Sequence, residues 1–177
     1  MTDLTSLYDG TIERTPDGGV IRFERHFAFP IRDVWAAVTE PSRLAEWWLP
    51  FDADVTIDLR EGGDMVFAAV DGEPPPMTFT VLRVEPPMLL EHTHVDPGSY
   101  LRWELEAVDT GCVLRLSHFV PDPDTAIGNC YVVGLHTSLD RLGPLLAGRP
   151  VAWDWDDFAR RQSRYAEIGF APEPEAS

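Results

Sequence analysis

The chain reads as two periods in succession. In GTIERTPDGGVIRFERHFAF, residues 10–29, the run VIRFERHF alternates apolar and polar behind the turn residues PDGG, so a hairpin is expected there. PIRDVWAAVTE then starts on a proline suited to a first helical turn and places Ile31, Val34, Trp35 and Val38 at helical spacing. Pro41 ends that helix and opens a second short one, PSRLAEWWL. Six strand-like runs follow: ADVTIDLR, DMVFAAV, MTFTVLRVE, MLLEHTHV, SYLRWELEAV and CVLRLSHFV. Their connections are short, which predicts an antiparallel meander.

After residue 121 the period changes. Asp122 is placed to cap a helix with Pro123 at its first position. Tyr131, Leu135, Leu139, Leu142 and Leu146 then fall on one stripe of a long helix, closed by Gly148 and Pro150. WDWDDFARRQSRYAEIGF predicts a last amphipathic helix with Trp155, Phe158 and Tyr165 inward, and DWDD as its acidic first turn rather than a metal cluster. An antiparallel sheet needs its apolar face covered, and the long helix is the available cover. A strongly curved sheet cannot close tightly on one helix, so this α+β arrangement implies a pocket between them.

Charge narrows the function classes. The formal net charge is −16, acids outnumber bases 30 to 14, and every base is an arginine. Nucleic acid and anionic membranes both require a basic footprint, so neither is an expected partner. The two cysteines, Cys112 and Cys130, make no disulfide framework, and no apolar run approaches a membrane span. With no signal-peptide pattern at the start, the expected location is the cytoplasm.

The stretch IRFERHFAFPIRDVWAAVTEPSRLAEWWLPFDADVTIDLREGGDMVF resembles the START-like SRPBCC superfamily. More narrowly it resembles the family of homologues of the activator of heat-shock-protein-90 ATPase, through TEPSRLAEWW, DLREGGDMVF, LRLSHF and the helix ending LDRLGPLLAG. The resemblance covers about residues 11–150 and implies a helix-grip fold, often around an apolar cavity. Gly143 and Pro144 depart from the pattern and predict a break before the last helical turn. No counterpart of the co-chaperone's separate N-terminal domain is found, so chaperone activation is not expected. The division expected is a flexible N-terminus (1–10), a helix-grip domain (11–150), an extra helix on this domain or on a partner in a homodimer (151–170), and a disordered tail (171–177).

Candidate chemistry centres on histidines. A turn on Pro97-Gly98 registers one hairpin so that His92 faces Trp103 and His94 faces Leu101. A four-residue turn at 109–112 registers the next so that Trp103 faces His118. This predicts an inner-face row of His92, Trp103 and His118, with His94 beside it and Glu91 opposite Glu104. Three readings stay open. The histidines are the polar groups of an apolar ligand cavity, the acid–base groups of an enzyme like the polyketide cyclases of the superfamily, or core histidines satisfied by backbone. A metal site is disfavoured, because Trp103 would stand where the ion must sit. A non-catalytic site for a small hydrophobic or aromatic molecule is preferred, with no cofactor or metal; the alternatives are a polyketide cyclase- or dehydratase-like enzyme using the same histidines and a protein-interaction, co-chaperone-like module without a ligand. Its expected walls are Trp48, Phe51, His92, His94, Trp103, His118, Tyr131 and Leu135. Adjacent helical residues point about 100° apart, so Trp47 is assigned to the core under the first helix and Trp48 to the cavity rim.

Overall fold

The computed structural model describes residues 8–175. Residues 1–7 and 176–177, parts of the expected flexible start and disordered tail, lie outside them. Strands β1 (Thr11–Thr15) and β2 (Gly18–Phe27) form the expected hairpin, followed by helices α1 (Ile31–Thr39) and α2 (Pro41–Trp47). Then come β3 (Ala53–Ile57), β4 (Asp64–Ala69), β5 (Met77–Glu85), β6 (Leu89–Thr93), β7 (Tyr100–Val108) and β8 (Gly111–Val120). Helices α3 (Pro123–Gly128), α4 (Tyr131–Leu146) and α5 (Trp155–Glu167) complete the described chain. These strands belong to one antiparallel sheet in the order β1-β2-β8-β7-β6-β5-β4-β3. The meander from β3 to β8 is as the short links require. The first hairpin joins it through β2 against β8, so the two ends of the strand sequence meet inside the sheet.

The long C-terminal helix is two helices. Asp122 caps α3 as expected, accepting from the Asp124 amide at 3.0 Å and the Thr125 hydroxyl at 2.7 Å. Gly128 and Asn129 are weak helix formers, and Cys130 adopts the left-handed conformation at φ 57°, so the stripe starts afresh at Tyr131. At the other end the expected break is absent, since α4 runs through Pro144 to Leu146.

Helix α5 folds back on its own domain. Arg161 bridges Asp140 of α4 and Asp157, each at 2.7 Å, and Arg164 pairs with Asp9. The buried Tyr165 hydroxyl accepts the Gly10 amide at 2.7 Å and lies 2.7 Å from His136 Nδ1. Every group is satisfied if the phenol proton goes to Nδ1, leaving Nε2–H toward Asp140 at 3.4 Å. Tyr165→Phe strands the Gly10 amide and Nδ1 together. It is expected to cost about 1–3 kcal/mol, read by urea unfolding; a loss under about 0.5 kcal/mol would show that water takes over both bonds.

Candidate functional site

The tryptophan doublet is set by the end of α2. A helix leaves its last carbonyls without intrahelical partners, and here a neighbouring helix satisfies them. Arg141 of α4 donates to the carbonyls of Glu46 (3.0 Å), Trp47 (2.9 Å) and Leu49 (2.8 Å), and one turn earlier Ser138 donates to Trp48 O at 2.8 Å. Arg141 Nε reaches on to Val151 O at 3.0 Å, tying down the connection between α4 and α5. With α2 clamped so, Trp47 is 0% exposed and donates its indole N–H to Ala37 O of α1 at 2.8 Å. Trp48 is 8% exposed and turns to the space between sheet and α4. Both rings meet Trp103 edge-on, at 6.0 and 5.1 Å between centroids.

Both histidine-bearing hairpins sit two residues away from the expected register. His94 N donates to Ser99 O at 3.1 Å, which leaves a four-residue loop at 95–98 in place of the tight Pro97-Gly98 turn. The same loop is closed by Ser99 N donating to Asp96 O at 2.9 Å. Val108 pairs with Gly111, so the next turn is Asp109-Thr110, two residues rather than four. The inner row is therefore His92, Leu101 and His118, with Leu101 where Trp103 was expected. Trp103 pairs instead with Leu90 and Leu116. Glu91 faces Arg102, bonded at 2.5 Å, and the unfavourable Glu91–Glu104 pairing does not arise.

The three histidines differ in kind. His92 Nδ1 lies 2.8 Å from Thr93 O, and its Nε2 accepts the Trp103 indole N–H at 3.0 Å. That fixes the Nδ1–H tautomer and satisfies both nitrogens. His94 stacks on Phe79 and meets His118 edge-to-face with 4.7 Å between centroids. Tyr131 stacks on His118 at 5.4 Å, meets His94 edge-on at 6.3 Å, and donates its hydroxyl to Asp96 at 2.9 Å. Nδ1 of His94 and both ring nitrogens of His118 are buried without a hydrogen-bond partner among the described residues. Burial lowers the pKa of His92 and His118 to about 4 and holds His94 well below its usual range, where His118 and His92 repel its charge further. All three are neutral imidazoles at pH 7.

Between the sheet and α4 lies a cavity of about 340 Å³. Trp48, Phe51, His94, His118, Tyr131 and Leu135 line it, six of the eight expected residues. His92 and Trp103 do not; the bond between them holds both in the buried layer behind. Sequence reasoning missed Met77 and Phe79 from β5, Gly134 and Ser138 from α4, and Trp153 and Phe158 from the C-terminal segment. Gly134 carries a signal. Glycine in a helix interior costs about 1 kcal/mol, and this one sits between Tyr131 and Leu135, where an added Cβ meets nothing within 4 Å. Trp155, expected inward, is 61% exposed at the mouth, packed edge-on against Trp153 and Phe158.

A larger cleft of about 600 Å³ lies outside this cavity, between residues 45–46 and 49–53 on one side and 150–153 on the other. Arg141, the cation on its wall, already donates to four carbonyls. Among the described residues no three His, Cys, Asp or Glu side chains are grouped to hold a metal ion. No helix among them is long and apolar enough to cross a membrane.

An antiparallel sheet packed on a C-terminal helix, with an apolar cavity between the two, defines the helix-grip class. Residues 28–147 match the model of the family described as Activator of Hsp90 ATPase homolog 1-like protein, and the chain belongs to that family. Among solved structures it is similar to CalU16 from Micromonospora echinospora, at 26% identity over 90% of this chain and 94% of that one, TM-score 0.67. A conserved protein of unknown function from Enterococcus faecalis shares the fold at 19% identity, 90% and 89% coverage and TM-score 0.73. Protein NE0264 from Nitrosomonas europaea shares it at 24% identity, 73% and 94% coverage and TM-score 0.61. No curated protein matches the sequence.

Proposed function

We propose that the protein binds a small hydrophobic or aromatic molecule, without transforming it, in the cavity between sheet and α4. The observation that carries this reading is the wall itself: aromatic and aliphatic side chains surround two neutral imidazoles with unpartnered nitrogens. Ligand sites combine a mostly apolar surface with a few convergent polar groups. Family membership supports the reading, since the helix-grip class is a ligand-binding class.

Gly134 supplies the test. Its helical backbone accepts a side chain, and the space above it is the cavity. Gly134→Leu is expected to raise the stability of the empty protein by about 0.5–1 kcal/mol through helix propensity. The same variant should lose the small molecules that mass spectrometry finds on the purified wild type, and lose the thermal shift produced by apolar aromatic compounds. A wild type that carries and responds to no such compound, or a leucine variant that binds as well as the wild type, would sink the proposal.

A further inference from the structure

The cavity and the cleft outside it share a wall. Leu49, Pro50, Phe51 and Trp153 line both. No hydrogen bond holds the Trp153 indole, whose N–H has no partner among the described residues. Its ring rests on the Arg141 guanidinium at 5.8 Å and on the rings of Trp155 and Phe158 at 5.5 and 6.0 Å. It belongs to the stretch 149–154, which is neither helix nor strand. The ring can therefore turn aside without breaking a hydrogen bond, and the two spaces then run together. Small-molecule sites span about 300–1,000 Å³. The cavity alone, at about 340 Å³, lies at the lower end of that range, and the adjoining cleft of about 600 Å³ extends it to the upper end.

The cleft is preformed and keeps apolar surface in water. Arg141 ties both flanks, through the carbonyls of Glu46 and Leu49 on one and of Val151 on the other. Its width is thus set before a ligand arrives. Val70, whose amide bonds Asp52 O at 2.9 Å, and Val151 across from it are 66% and 46% exposed. Apolar side chains grouped in a concave wall mark a surface that a ligand covers. Continuity with the cavity says which ligand: the outer part of the molecule whose inner part fills the cavity. Charge limits that part. An anion would meet the acidic residues Glu46 and Asp52 and a chain of net charge −16, while Arg141 is already engaged with carbonyls. We infer that the ligand is an elongated molecule in two parts: a flat apolar body in the cavity, and an apolar extension without negative charge that passes Trp153 into the cleft. This rests on the ligand-binding reading above and adds the ligand's shape, its size and the charge excluded at its outer end.

Equilibrium dialysis at pH 7.5 with 2-methoxynaphthalene, 2-benzyloxynaphthalene and 4-(2-naphthyloxymethyl)benzoate tests it. The benzyl ether is expected to bind about tenfold or more tighter than the methyl ether, because its added ring buries apolar surface in the cleft, and the benzoate should lose that gain. Val70→Asp and Val151→Asp, both at exposed positions, should each cancel the gain and leave the methyl ether within about twofold of the wild type. Gly134→Leu, which fills the cavity, should weaken both ethers. A benzyl ether that binds no tighter than the methyl ether, that keeps its gain in both aspartate variants, or that is indifferent to Gly134→Leu overturns the two-part ligand and leaves the cavity standing. A benzoate that binds as tightly as the benzyl ether overturns the charge assigned to the outer end. A wild type that binds neither ether overturns this inference and the ligand-binding reading together.

Discussion

Arg141→Leu is expected to destabilise the protein by about 2–4 kcal/mol in urea unfolding, with the native-state tryptophan emission changed as well. One guanidinium closes the end of α2 and the path of the next connection at once, through the carbonyls of Glu46, Trp47, Leu49 and Val151. The bonds to the Trp47 and Leu49 carbonyls are partly buried, so water replaces the lost donor poorly. The charge also complements the negative end of the helix. Trp153 loses its cation–π partner, whose Cζ lies 5.8 Å from the ring centroid. Arg141→Lys should recover only a small part, because a single ammonium cannot reach carbonyls that a planar fork spans. An Arg141→Leu variant within about 0.5 kcal/mol of the wild type would mean that α2 is held by its tryptophans alone.

Acid is expected to destabilise the protein well above the range in which carboxylates titrate. His92 and His118 have folded-state pKa values of about 4, against an ordinary 6.5, and His94 lies well below 6.5 too. Above pH 6.5 neither folded nor unfolded chain protonates these groups, and their contribution is fully present. As pH falls from 6.5 toward 4, the unfolded chain takes up protons that the folded chain refuses, so stability falls with pH. His92 and His118 together account for a loss of about 4 kcal/mol between about pH 7 and pH 5, and His94 adds to it. Urea unfolding at the two values measures this, and His118→Leu should reduce the proton uptake on unfolding at about pH 5 by about one. A wild-type loss under about 1 kcal/mol would show that the imidazoles are hydrated rather than buried. Protonated His92 would also give up the bond it accepts from Trp103.

Period-two alternation is why so much of the sheet is legible in the sequence and why its cross-strand partners are not. Sliding a hairpin by two residues keeps every side chain on its own face and changes only its neighbour opposite. His92, His94 and His118 therefore fall on the inner face even from a register that is wrong in both hairpins. The turns decide the slide. Val95-Asp96-Pro97-Gly98 forms a longer loop than Pro97-Gly98 suggests, and Asp109-Thr110 a shorter one than four residues. Helical spacing is equally reliable for the stripe of Leu135, Leu139 and Leu142, all buried. It does not reveal that Cys130 interrupts the run before it. The approach of Trp153 to the cavity has no periodic signal, because it depends on an irregular connection held by Arg141; helical spacing turns Phe158 inward but does not say that it meets the cavity. The tryptophan doublet divides as an angle of about 100° between neighbours requires, Trp47 to α1 and Trp48 to the cavity.

The left-handed residue at 130 has an electrostatic consequence. By ending one helix and starting another at Tyr131, it brings the amino end of a sixteen-residue helix to the cavity wall. Among the described residues no side chain caps that end. The aligned peptide dipoles place a partial positive charge there, strongest within the first turn, and Tyr131 of that turn stacks directly on His118. The local field thus opposes protonation of the imidazole in addition to its burial.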